Sequence, residues 1–320
     1  MKTLKCLICL ILCSVLLWGC TAPATQAENT TETTPQPTID PNSPLSDGKT
    51  LKLLAITSSF GLNTTQLLYD IAVAEGCTDV VIGRLYASGC TLEKHVNWAK
   101  SNNAGYIYTK NNSGKWETIE DATMQYGLED EDWDIIFIQQ SAAQAGQIES
   151  YGNYIDQLME HVQKNKTNPN ARFVWNMTWA YQADSDQKVF IDTFKSDQEY
   201  MYNCILNAVQ EKVVPRTDFT AIIPSGTAIQ NARTSYFGDH LTKDTYHLNS
   251  LGRAIAGYTL YSVLTGKPLT EVNLTNITKA MTPDTEVYLL TDKDKGVIIE
   301  SVNNAIKDPF QVTNSAYSTT

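Results

Sequence analysis

Apolar residues in this chain fall in short unbroken runs, each followed by a stretch of helical period. The first run, Leu53-Leu54-Ala55-Ile56, stops at three hydroxyl residues, Thr57, Ser58 and Ser59. Gly61 and Asn63 should loosen the backbone there, and Leu67, Leu68, Ile71 and Ala72 then recur at helical spacing. This pattern predicts a buried strand, a hydroxyl-bearing loop and a helix. A second run, Asp79–Tyr86, ends in Ala87-Ser88-Gly89-Cys90 and is followed by Leu92, His95 and Trp98 on one helix. A third, Ile135–Ile138, ends in Gln139-Gln140-Ser141, ahead of a helix marked by Tyr154, Leu158, His161 and Val162. Arg172–Thr178 makes a fourth strand. A polar loop over 181–198 and a helix from Tyr200 to Val214 follow it. Phe219–Ile223 makes a fifth strand, ended by Pro224-Ser225-Gly226, with a helical segment over 227–233. Residues 236–247 read as loop, and Leu251–Leu264 as an amphipathic helix stopped by Gly266-Lys267-Pro268.

Strands alternating with helices predict a mostly parallel sheet of about five strands covered on both faces. Tyr106–Trp116, turning at Asn112-Ser113-Gly114, reads as a hairpin inserted in this pattern, a lip over a site. Tyr288–Leu290 and Val297–Ile306 look ordered and the last ten residues frayed. The expected domain spans 50–266, with 267–320 as a C-terminal extension.

The N-terminus follows other rules. Lys2 and Lys5 precede an apolar stretch from Leu7 to Leu17 that is too short to span a bilayer securely. Leu17-Trp18-Gly19-Cys20 resembles a bacterial lipoprotein signal, which implies lipidation at Cys20 after removal of residues 1–19. Residues 20–49 are rich in Thr, Pro, Asn and Ser and read as a disordered linker. The expected location is extracytoplasmic, tethered to a membrane through this anchor.

Formal net charge is −11, and nearer −13 once the two signal lysines are set aside, with 22 basic against 35 acidic residues. Such a surface argues against nucleic acid as a partner. Of seven cysteines only Cys77, Cys90 and Cys204 lie beyond the signal and Cys20. Without CxxC spacing they suggest buried thiols, not a zinc site or a disulfide framework. No metal or organic cofactor is implied.

The chemistry concentrates in strand-end loops, where open α/β sheets bind ligands. A serine after the first strand can be a helix cap, or a nucleophile if a base reaches it. Four histidines are available. His161 lies on an apolar helix face and His95 on the helix after the second strand, so both are expected to be structural. His240 and His247 share one loop, in which Asp244 stands three residues before His247.

These positions together resemble the SGNH, or GDSL-like, hydrolase superfamily, in the branch of secreted bacterial proteins of poorly defined function. The matching residues are Ser59 after the first strand, Gly89 after the second, and Asp244-Thr245-Tyr246-His247 near the end. The resemblance covers about residues 51–266 and implies a three-layer α/β/α, flavodoxin-like sandwich. It implies a triad of Ser59, His247 and Asp244, with Ser58 as the alternative nucleophile. The Ser59 and Gly89 backbone amides and a side-chain amide would form the oxyanion hole. The family's usual opening glycine is Thr57 here, the Asp or Asn beside the serine is Ser58, and the third-strand asparagine is replaced by Gln139-Gln140-Ser141. Gln140 is the expected amide donor and Asn176 the alternative. Gln139, Asn176 and Trp179 are expected near substrate, with Trp98, Trp116, Trp175 and Tyr181 as further aromatic surfaces. Of these, Trp98 and Trp175 also suit the core. The expected activity is a serine esterase removing small acyl groups, such as acetyl, from carbohydrate. An inactive glycan-binding lipoprotein and an acyltransferase are the alternatives.

Overall fold

The computed structural model describes residue 45 and residues 48–274, 276–278 and 287–318. The signal, Cys20 and nearly all of the linker lie outside the described residues. In chain order the elements are β1 (Thr50–Thr57), α1 (Ser59–Thr65), α2 (Leu68–Ala74), β2 (Asp79–Tyr86), α3 (Leu92–Ser101), β3 (Tyr106–Asn111) and β4 (Trp116–Ala122). Then come α4 (Met124–Glu129), β5 (Ile135–Ile138), α5 (Tyr154–Asn165), β6 (Arg172–Asn176), α6 (Lys188–Phe194), α7 (Gln198–Lys212) and β7 (Phe219–Ile223). The chain closes with α8 (Ser225–Arg233), α9 (Ser250–Thr265), β8 (Asn276–Thr278), β9 (Val287–Leu289) and α10 (Asp292–Lys307).

The main sheet runs β4-β3-β2-β1-β5-β6-β7. Its five parallel strands, β2-β1-β5-β6-β7, have the doubly wound order in which the chain departs from β1 in both directions. The topological switch point therefore lies at the carboxyl end of β1, between β2 and β5. Strands buried on both faces read as continuous apolar runs, which is why all five are visible in the sequence. Helices α1, α2, α8, α9 and α10 pack together on one side, and α3, α4 and α5 on the other. The fold is thus a three-layer α/β/α sandwich.

Three expectations change. The sheet has seven strands, because β3 and β4 extend its β2 edge antiparallel instead of standing over the site as a lip. Arg84 of β2 pins this edge. Its guanidinium lies 3.3 Å over the centre of the Trp116 ring and donates to Thr109 Oγ1 at 2.9 Å and Gln66 Oε1 at 3.0 Å. Helix α9, expected to be amphipathic, has 14 of its 16 residues buried. α1 and α2 pack along it, and so do α8 and α10. The segment beyond 266 therefore belongs to the same core. α10 opens on a capping box formed by Thr291 and Asp294. The final residues are tied down too, by Tyr236 N–H to Tyr317 O at 2.9 Å and Thr313 N–H to Asn231 Oδ1 at 2.7 Å.

Candidate active site

Helix α1 begins two residues after β1 ends, so the expected loop is absent. Gly61 and Asn63 lie inside the helix. A Cβ on Gly61 would fall 1.8 Å from Thr57 Oγ1, so only glycine lets the helix start this close to its strand. Ser58 holds the N-cap position in an extended conformation but makes no side-chain cap. Its Oγ instead accepts from Gln139 Nε2 at 3.2 Å. Ser59, the first helical residue, points the other way.

Ser59 Oγ lies 2.8 Å from His247 Nε2, and His247 Nδ1 lies 2.8 Å from Asp244 Oδ2. A carboxylate facing Nδ1 requires the proton there, which leaves Nε2 to accept the Ser59 hydroxyl. The main-chain N–H of His247 donates to Asp244 Oδ1 at 2.8 Å, so both carboxylate oxygens are held. Burial pushes the Asp244 carboxyl up. The hydrogen bonds and charge of His247 outweigh it, and the group sits below the ordinary carboxylate range, ionised at neutral pH. Thr245, between them, takes a left-handed φ of 69°, the turn that folds Asp244 back onto His247.

The loop carrying this pair is tied to both neighbouring helices. Leu248 N–H donates to Asn63 Oδ1 of α1 at 2.7 Å, and Asn249 caps α9 by accepting from Gly252 N–H at 3.1 Å. Opposite, Gly89 turns the chain after β2 with φ 56°, a conformation suited to glycine. Among the described residues, neither the Ser59 nor the Gly89 backbone N–H has an acceptor. Those are the two amides expected to face a developing oxyanion.

The family model for DUF4886, a domain of unknown function, matches residues 52–286. The chain belongs to the DUF4886 family. A solved DUF4886 protein from Bacteroides uniformis is 31% identical, with a TM-score of 0.74 over 85% of this chain and 100% of that one. A proposed SGNH hydrolase from Slackia heliotrinireducens matches at 15% identity and TM-score 0.44, over 68% of this chain and 100% of that chain. An acetylxylan esterase from Geobacillus stearothermophilus, solved as a catalytic serine-to-alanine mutant, matches at 9% identity and TM-score 0.39, over 68% and 95%. No curated protein matches the chain.

Several expected site residues of this DUF4886 domain are turned elsewhere. Gln140 spends its amide on Ser150, donating to O at 3.1 Å and Oγ at 3.0 Å, while its Oε1 accepts from Leu92 N–H at 3.0 Å and Ser141 N–H at 2.8 Å. It stitches loops together and has no N–H left for an oxyanion. The Asn176 amide donates to Gln139 Oε1 at 3.0 Å and Thr64 Oγ1 at 3.4 Å. Gln139, Asn176 and Trp179 are all buried, so none presents a surface to substrate. Trp179 stacks on Phe60 at 4.1 Å and donates its Nε1–H to Tyr246 O at 2.8 Å. Trp175 and Tyr181 are also core, and Trp98 packs edge-on against Tyr106.

Two half-buried tyrosines that sequence reasoning passed over stand near the Ser59–His247 pair. Tyr246 is half-buried, its ring 4.0 Å from the His247 ring. Tyr86, also half-buried, pairs in register with Thr57, two residues before Ser59. Adjacency to His247 was a usable signal for Tyr246. Nothing local marks Asn63, whose partner is 185 residues away. His95 is buried behind the Gly89 turn. Its Nδ1 lies 2.8 Å from the Tyr106 hydroxyl and 3.5 Å from Cys90 Sγ. Burial, reinforced by Lys94, lowers its pKa to about 3, so it stays neutral. Cys77, Cys90 and Cys204 form no disulfide. Among the described residues no group of His, Cys, Asp and Glu is placed to hold a metal ion, and no helix is long and apolar enough to cross a membrane.

Proposed function

We propose that this protein is a serine esterase of the SGNH type that removes small acyl groups, acetyl foremost, from carbohydrate. The observation that carries the reading is the unbroken line from Ser59 Oγ through His247 to Asp244, at 2.8 Å for each step. Ser59 Oγ attacks the ester carbonyl as its proton passes to His247 Nε2. The tetrahedral oxyanion is met by the N–H groups of Ser59 and Gly89. The intermediate collapses, His247 protonates the departing alcohol, and an acyl-Ser59 ester remains. Water attacks that ester with His247 as base, releasing the acid and restoring Ser59. Asp244 fixes the imidazole tautomer and stabilises its cation throughout.

Support for a carbohydrate alcohol comes from two half-buried tyrosines, Tyr246 with its ring 4.0 Å from the His247 ring and Tyr86 at the end of β2 in register with Thr57, since aromatic rings suit the CH faces of a pyranose. The strongly acidic chain favours neutral over anionic esters. A lipid at Cys20 would hold the enzyme at a membrane while its site meets an extracytoplasmic glycan. The test is hydrolysis of a chromogenic acetyl ester, then of an acetylated oligosaccharide, with wild type and Ser59→Ala. We expect turnover of both by wild type and of neither by the variant. Activity surviving in Ser59→Ala would refute this nucleophile. Inertness of the wild type toward every ester would favour a glycan-binding role.

A further inference from the structure

The two places where this chain departs from the SGNH pattern around its serine meet each other in space. Ser58, beside the nucleophile, accepts a hydrogen bond from Gln139, which stands where the third-strand amide is sought. The contact does not end there. Gln139 Oε1 accepts from Asn176 Nδ2 at 3.0 Å, and Asn176 Oδ1 accepts from Ser225 Oγ at 2.7 Å. The four residues stand at or just past the ends of β1, β5, β6 and β7, so the chain of bonds crosses the carboxyl edge of the sheet. All four are buried, none more than 2% exposed.

The direction of this chain is fixed. Thr64 Oγ1 donates to Phe60 O at 3.2 Å, so the Asn176 atom 3.4 Å from it is the nitrogen, and the Asn176 oxygen is left for the Ser225 hydroxyl. Gln139 must then turn its oxygen to Asn176 and its nitrogen to Ser58. Either amide flipped would set like atoms against each other. The Ser58 oxygen is therefore claimed as an acceptor from below. It makes no cap on α1, the ordinary use of an N-cap serine. A buried polar chain is costly unless every link is made, and fully made it specifies one geometry.

We propose that the Gln139–Ser58 hydrogen bond is a positioning device for the nucleophile, with Asn176 and Ser225 locking the orientation of the Gln139 amide. Ser58 shares a peptide with Ser59. Holding its side chain fixes the plane that carries the Ser59 N–H and sets the direction of Ser59 Oγ toward His247. Gln139 and Ser58 touch no substrate in this scheme and act through Ser59. The inference rests on the esterase reading of the site.

The test uses the folded protein on a chromogenic acetyl ester. Gln139→Leu and Ser58→Ala should each lower kcat by roughly tenfold to a hundredfold, the effect of a small misplacement of reacting groups, with KM little changed. The double variant should be no worse than the poorer single, because both remove the Gln139–Ser58 bond and the further loss of the Asn176–Gln139 bond is already present in Gln139→Leu. Ser58→Thr, which keeps the hydroxyl, should restore most of the rate. The acid limb of the pH profile, which belongs to the triad, should not move. Thermal melts of each variant fix the folded fraction. Losses that multiply in the double variant, or an unchanged kcat per folded molecule alongside a lower Tm, would reduce the network to packing. A wild type inert on every ester overturns the esterase reading and this inference together. An active wild type with an equally active Gln139→Leu overturns only the inference.

Discussion

The two halves of the site are made of different material. The Ser59 half rests on core, with Ser59 itself half-buried and Gly89 exposed. Ser59 opens a helix set directly on β1, over the buried Ser58–Gln139–Asn176 chain, and the Gly89 turn is backed by Cys90, His95 and Tyr106. The acid–base half is surface. The Asp244 side chain is 41% exposed and that of His247 18%. Their loop is held by main-chain bonds across its own neck, Lys243 N–H to His247 O and Asn249 N–H to Leu241 O, each 2.9 Å, by caps at its edges, and from outside by Gln182 N–H to Thr245 O at 2.7 Å and Trp179 Nε1–H to Tyr246 O at 2.8 Å. An attacking oxygen and fixed N–H donors gain from rigidity, because electrostatic preorganisation is lost if the groups must reorganise during reaction. A base that passes a proton to a leaving alcohol and then takes one from water needs access. The contrast implies that substitutions in the loop cost turnover alone, whereas those behind the elbow and the Gly89 turn cost stability as well.

The largest effect should come from the point where the halves touch. Ser59→Ala and His247→Ala should each remove at least about 10⁴-fold of kcat, since triad members act as a unit, and the pair combined should be little worse than either. Melting temperatures should stay near wild type, because His247 is partly exposed and, among the described residues, Ser59 Oγ bonds only to it. A large fall in Tm for His247→Ala would break the distinction between core and surface.

Asp244→Asn comes next, with a loss of about 10³-fold or more from the wrong imidazole tautomer and no collapse of the fold. Its contribution to stability has a defined sign. The folded carboxyl sits below its ordinary value of 3.8, so the stabilisation is complete above that pH and is lost as pH falls through the folded value. At this exposure solvent screening keeps the effect small. Urea unfolding of wild type and Asp244→Asn at pH 7 and pH 3 would show whether the surface half contributes little to the fold.

On the core side, His95 gives a pH signature. Its pKa is lowered from 6.5 to about 3, so below about pH 6.5 the unfolded chain takes a proton that the folded chain refuses. Stability should then fall with pH down to about 3, by about 1.4 kcal/mol per unit, or about 2 kcal/mol between pH 6.5 and 5. His95→Phe should flatten this part of the profile while costing stability at pH 7 through the orphaned Tyr106 hydroxyl. Denaturant midpoints across pH 7 to 5 measure it. An unchanged slope would mean that the Gly89 turn is not backed by a buried neutral imidazole.

How much of this could be read from the chain follows from the same division. The five parallel strands were legible because burial on both faces writes a continuous apolar run. Ser59, Gly89, Asp244 and His247 were legible because their order and spacing resemble a known family. The choice between Gln139 and Gln140 was not. Successive residues leaving a strand point to opposite sides, and which side looks toward Ser58 is decided in three dimensions. The early start of α1 was hidden by Gly61 and Asn63, both weak helix formers, whose places are set by contacts to Thr57 and Leu248. The burial of α9 was hidden because α10, which closes over it, comes some thirty residues later in the chain.

Asn63 offers the finest test, because it belongs to the core half and reaches into the surface half. Its Oδ1 accepts from the Leu248 N–H at 2.7 Å, one residue past His247, and both residues are buried. Asn63→Ala removes the acceptor and leaves that N–H without a partner in a dry place, at a cost of about 1 kcal/mol or somewhat more. If the loop were carried by its own neck and the bonds from Gln182 and Trp179 alone, kcat would be unchanged and only Tm would fall. If the loop takes its position from α1, the His247 ring loses its register with Ser59 and kcat falls by roughly tenfold, with KM steady. We expect the second outcome, since the bond lies between the only two segments that the Ser59–His247 contact must bring together.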